Sequence, residues 1–170
     1  MTWLDRRNVG ILAAVTTGLT FLLILLGVYT AATGTGLTCK GGWPLCGGPL
    51  FGLLPPNAAS YPEWIHRLVA SITGFFILGT AYGAWKAFDD RRIHGALALS
   101  IVVLPVQILL GRQTVVTYTA GVQTLHHAAA LVIFAGLVGA TAWMFDRPAE
   151  TVGRSHDADA DAGSRFADSD

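Results

Sequence analysis

From Val9 to Ala32 the chain runs for 24 residues without a charge, a proline or a side-chain amide. A stretch this long and apolar predicts a membrane-spanning helix, which takes about 20 residues to cross a hydrocarbon core about 30 Å thick. A secretory signal core is shorter, about 7–15 residues. Thr30-Ala31-Ala32 faintly resembles a cleavage site, but the length of the stretch favours a retained helix. Three more apolar stretches follow, at about 61–87, 94–116 and 122–145, the third span kinked at Pro105. In lipid every backbone polar group must be satisfied within the chain, so such segments are read as helices. The expected fold is all-α, an integral membrane four-helix bundle with the lipid bilayer as its solvent. Composition agrees: 52% of residues are hydrophobic and 13% charged, against roughly 25% charged in soluble domains. The formal net charge is zero, which leaves no basic field for nucleic acid.

The connectors differ in kind. Residues 33–60 contain seven glycines, four prolines and one charge, Lys40; so many helix breakers predict a loop. Residues 88–93 are a short charged connector and 117–121 a tight turn. Arginine and lysine bias sets orientation. Arg6 and Arg7 precede the first span, Lys86, Arg91 and Arg92 flank the charged connector, and Arg147 and Arg154 follow the last span. The opposite side has Lys40, with Arg112 near a helix end. Both termini, 1–8 and 146–170, are therefore expected to be cytoplasmic, with the glycine-rich loop facing outward from the cell membrane. The tail after Phe145 is rich in Asp, Ala and Ser and is expected to be disordered.

Ionisable groups at membrane depth are costly and are functional candidates by default. His66 and His126 lie at matched depth near the outer ends of the second and fourth spans, about 6–8 Å in. On parallel helices they are well placed for the two axial positions of one haem iron. His127 is the alternative to His126, since neighbouring helical residues point about 100° apart and only one can face the site. The competing reading for each is a packing histidine bonded to a backbone carbonyl. His94 and His156 read as solvated.

Glu63 stands three residues before His66, on the same helix face. A di-iron Glu-x-x-His site fails on counting, because Glu63 and Glu150 are the only glutamates and no span contains aspartate. Ser60-Tyr61-Pro62-Glu63 also has the form of a capping box, so Glu63 is either a helix cap, a group beside the metal, or both. Arg67 and Arg112 could pair with haem propionates through the guanidinium fork, or could snorkel to the interface. Cys39 and Cys46 share a loop that faces an oxidising compartment, where a disulfide is the default; zinc would need four ligands.

These pieces resemble the haem A synthase family. The resemblance rests on Thr33-Gly34-Thr35-Gly36-Leu37-Thr38-Cys39, Trp43-Pro44-Leu45-Cys46 and Glu63-Trp64-Ile65-His66-Arg67-Leu68-Val69-Ala70. It continues through Leu110-Gly111, Thr114-Val115, Leu125-His126 and Ala130. It implies an oxidoreductase that converts the C8 methyl of haem O into the formyl group of haem A, for terminal oxidases. His66 and His126 match its axial ligands, Glu63 its essential glutamate, and Cys39–Cys46 the disulfide of one branch. Full-length members look like two similar four-helix halves, and this chain resembles one half, as in the compact archaeal-type members. The missing half, which holds a haem B, implies a homo-oligomer, a haem O synthase partner, or one haem in both roles, with an external electron donor. Pro62 and Arg112-Gln113 depart from the family pattern. Two alternatives use the same sequence differently: a membrane b-type cytochrome that carries electrons, and a non-haem assembly scaffold for an oxidase.

Overall fold

The structure is a computed structural model that describes residues 4–39, 42–51 and 53–146. The helices are α1 (Arg6–Ala32), α2 (Tyr61–Ala87), α3 (Arg91–Val116) and α4 (Ala120–Phe145), with short 3₁₀ turns at Thr35–Leu37 and Ala58–Ser60. All four are long and apolar enough to cross a membrane, and the chain is a multi-pass membrane protein. The expected bounds hold for α2. The other three helices begin two or three residues earlier than expected, because α1 and α3 take in the polar residues Arg6 and Arg91 before their apolar stretches and α4 takes in Ala120 and Gly121. The helix α3 continues through Pro105. Lys40, Arg147, Arg154, His156 and the tail from 147 onward lie outside the described residues.

Each helix packs on its chain neighbours, and α4 closes back on α1. Among the described residues the diagonal pairs α1/α3 and α2/α4 do not meet. The bundle is therefore a square with a central axis. Its close-packed apolar core, including Val9, Ala13, Ile77, Ala81, Leu97, Leu137 and Met144, fills the half remote from the long loop. In that half α3 and α4 approach through Gly136, where a β-carbon would lie 2.9 Å from the Ala96 carbonyl oxygen. Such small-residue contacts are how helices associate in lipid, where no hydrophobic force separates them from solvent.

Hydroxyls bridge the middle of the bundle. Thr16 and Thr80 share a hydrogen bond of 2.8 Å, and Thr17 and Thr141 one of 3.0 Å. Ser100 donates across to the Ile133 carbonyl at 3.3 Å. Interhelical bonds of this kind contribute about 0.6 kcal/mol each on average. Among the described residues the loop-side half lacks such a core, and Glu63, His66, Arg67 and His126 lie there. The loop between α1 and α2 is tied to α2 by Trp64, whose Nε1 donates to the Leu53 carbonyl at 2.7 Å.

Candidate functional site between the second and fourth helices

His66 is the sixth residue of α2 and His126 the seventh of α4. Both helices run away from the loop end, so at 1.5 Å per residue the two imidazoles sit at roughly equal depth, about 8–9 Å in. They come from the diagonal pair of helices, His66 packed against α1 at Gly27 and His126 against α3 at Gly111.

Hydrogen bonding separates the three histidines. His127 Nδ1 lies 2.9 Å from the Gln123 carbonyl oxygen and 3.2 Å from the Gln123 side-chain nitrogen. It is satisfied in either tautomer, as a packing histidine should be. His126 and His66 are different. The Nδ1 of each is buried with no partner among the described residues. His126 Nε2 has only Gln107 Nε2 at 3.5 Å, the outer limit of a hydrogen bond. Buried polar atoms are normally paired, so these two imidazoles, like the Nε2 of His94 at the other end of the bundle, are open to a partner from outside the described residues. Of the two neighbours that the spacing left open, His127 has a close partner and His126 does not. The contact with Gln107 was not foreseen; nothing in the sequence distinguishes that glutamine from the rest of α3.

Glu63 is 6% exposed. Its Oε1 accepts from Arg67 Nε at 2.8 Å, one helical turn on. The capping-box reading fails here. The turn Ala58–Ser60 holds Ser60 at φ −88° and ψ −7°, in helical conformation rather than the extended one that a cap residue adopts. Asn57 takes over as the cap, its Oδ1 accepting from Ser60 N at 3.1 Å. Glu63 is thereby released from helix capping and stands beside Gly36, whose β-carbon would lie 3.6 Å from Glu63 Oε2.

Arg67 does not snorkel. Its Nη1 donates to the carbonyls of Gly42 at 2.7 Å and Pro44 at 3.1 Å, and its Nη2 is buried without a partner among the described residues. One donor of the fork therefore remains for an anionic group. Arg112 is exposed, and no hydrogen bond joins it to Glu63, Arg67 or either histidine among the described residues. His94, expected in water, is half-buried against Trp85 with ring centroids 6.5 Å apart, at the end of the bundle away from the loop.

Cys39 and Cys46 form the disulfide, with Cα atoms 4.8 Å apart and a separation of seven residues. The ring it closes contains Gly42 and Pro44, the two carbonyl partners of Arg67. The bridge therefore holds the Arg67–Glu63 pair from the loop side. Replacing both cysteines with serine is expected to lower stability by about 2–3 kcal/mol, as for a short closed loop. Unfolding in detergent with and without reductant measures it. An unchanged melting temperature would show that the ring carries no load.

The comparisons with known proteins agree with this arrangement. The family model described as cytochrome oxidase assembly protein, COX15-CtaA, matches residues 10–167. A protein of Halobacterium salinarum named protoheme IX farnesyltransferase is 35% identical over 139 residues, 81% of this chain and 29% of that protein. The protein of the same name from Haloarcula marismortui is 34% identical, covering 82% of this chain and 29% of its own length. The heme A synthase of Bacillus licheniformis is 33% identical over 137 residues, 79% of this chain and 45% of that enzyme. The chain thus spans less than half the length of these relatives. No solved structure matches it. With a matched stretch that takes in the histidine pair, Glu63, Arg67 and the disulfide, the chain belongs to the COX15-CtaA family of cytochrome oxidase assembly proteins, the family of the haem A synthases.

Proposed function

We propose that this chain is a haem A synthase-type oxidoreductase, which takes haem O as substrate and oxidises its C8 methyl to a formyl group. The observation that carries the reading is the orphaned pair His66 and His126, seated at one depth on diagonal helices beside Glu63. Histidine is a common axial ligand of haem iron, and helix bundles hold cofactors through facing side chains.

The conversion takes two hydroxylations of the methyl carbon followed by loss of water. With dioxygen as oxidant, each hydroxylation places one oxygen atom on carbon and reduces the other to water, using two electrons and two protons from an external donor. The haem would supply redox-active iron, held by His66 and His126. This chain's residues do the rest. His66 and His126 hold the substrate by its iron. Glu63, at 6% exposure, is the proton-handling group, and the 2.8 Å bond from Arg67 Nε falls on its Oε1, which leaves Oε2, beside Gly36, to carry the proton. The unpaired Nη2 of Arg67 is suited to a propionate, since guanidinium and carboxylate pair strongly. Arg112 is the weaker candidate for the same task.

The positive-inside bias supports cytoplasmic termini and a haem site toward the outer face. A haem O synthase is the proposed partner. Segments similar to this chain make up 29% of two longer proteins named for transferring a farnesyl group to protohaem, and a farnesylated haem is the substrate proposed here.

One observation favours the electron-carrier alternative: the Glu63–Arg67 pair gives Glu63 a structural partner. Co-expression separates the two. In cells that make haem O but no haem A, the chain should produce haem A. Haem O left wholly unconverted, with the protein present in the membrane, would leave the electron carrier.

A further inference from the structure

The two candidate ligands occupy the same kind of seat. On α1, a β-carbon added to Gly27 would lie 3.0 Å from His66 Cε1, 3.6 Å from its Nδ1 and 3.8 Å from its Nε2. On α3, a β-carbon added to Gly111 would lie 3.0 Å from His126 Cε1 and 3.7 Å from each ring nitrogen. Each imidazole therefore presents the same edge to the helix before it, at nearly the same distance. Both glycines stand five residues before the last residue of their helix. Each is also the first residue of a Gly-x-x-Thr: Gly27-Val28-Tyr29-Thr30 and Gly111-Arg112-Gln113-Thr114. In both, the threonine hydroxyl donates back to the glycine carbonyl, Thr30 at 2.9 Å and Thr114 at 2.7 Å.

We infer that Gly27 with Thr30 and Gly111 with Thr114 are two equivalent ring seats, which set the orientation of the His66 and His126 imidazoles. The four helices are then two copies of one unit, a helix bearing Gly-x-x-Thr followed by a helix bearing the histidine it seats. The inference rests on the haem reading only for what the seated rings hold.

The physical argument is steric. A β-carbon at 3.0 Å is tighter than ordinary contact, so the ring edge has to give by a few tenths of an ångström, which changes its orientation. The threonine satisfies its own hydroxyl on the glycine carbonyl and fixes the turn that carries the seat. The neighbours of the seats are unequal. His66 has Glu63 and Arg67 on its own helix, whereas His126 has Gln107 and His127. The repeat makes the two rings alike in placement, and the surroundings give the His66 side the proton-handling group.

These are positioning residues, and the test reads ring placement directly. Protein labelled at histidine Cε1 is examined by NMR in detergent without haem, its five histidine signals assigned by substitution. Gly27→Ala is expected to shift the His66 signal alone, and Gly111→Ala the His126 signal alone, by similar amounts. Gly18→Ala and Gly74→Ala, where an added β-carbon meets nothing within 4 Å, are expected to shift neither. A general structural effect would instead move all signals or follow helix propensity, which rises equally in all four variants. If an alanine variant does not purify, Thr30→Val and Thr114→Val carry the same test, each moving the histidine its seat faces.

In the haem-loaded protein, the low-spin ferric EPR g values should then change in both seat variants and in neither control. Unmoved His66 and His126 signals in the seat variants overturn the inference. A wild type that takes up no haem ends the haem reading and leaves the seat test standing.

Discussion

His126→Ala is expected to strip haem from the purified protein, and His127→Ala to leave it in place. The two residues are adjacent, equally half-buried, and chemically identical. What differs is the partner. His127 already spends its Nδ1 on Gln123, at 2.9 Å, while both nitrogens of His126 lack a good partner. Loss of an axial ligand should cost more than the ~10–100-fold in affinity typical of residues that merely orient one. His66→Ala should behave like His126→Ala. Haem content per chain, by absorbance and pyridine haemochrome, measures all three. Haem retained in His126→Ala and lost in His127→Ala would reverse the assignment.

The second large effect is at Glu63. Glu63→Gln keeps size and a hydrogen-bond acceptor for Arg67 but cannot take or give a proton. We expect haem content and the low-spin spectrum to persist, and conversion of haem O to fall by about 10²–10⁴-fold, the usual share of a positioned acid or base. Removing one partner of a buried pair can also unfold a protein, at about 3–5 kcal/mol. The retained spectrum is therefore part of the prediction. Turnover at the wild-type rate would return Glu63 to a purely structural pairing with Arg67.

Much of this was legible from the amino-acid sequence because the bilayer makes so strong a demand. Apolar length, bounded by the glycine-rich loop and the charged connector, placed α2 to the residue and the other helices to within a turn. Matched depth singled out His66 and the neighbours His126 and His127, because depth follows from counting along a helix; the family resemblance favoured His126. What counting cannot give is the neighbour across the bundle. The choice between His126 and His127 depended on where Gln123 sits relative to each ring. The role of Ser60 changed because a 3₁₀ turn precedes it, and 3₁₀ turns leave little pattern in sequence. Arg67 looked free to reach the interface until the disulfide ring folded its carbonyls back over it. The Gly-x-x-Thr pair was visible in the sequence, but a glycine and a threonine three apart in an apolar helix are unremarked until a histidine is found against each.

The central claim is that His66 and His126 hold a haem that the protein modifies. The most direct measurement is an absorbance spectrum of detergent-purified protein, oxidised and reduced, from cells supplied with farnesylated haem, followed by extraction and identification of the haem. The account predicts a low-spin, bis-histidine spectrum and an extract containing haem O together with its formyl product. A colourless protein under adequate haem supply, or an extract of haem B alone, would contradict it.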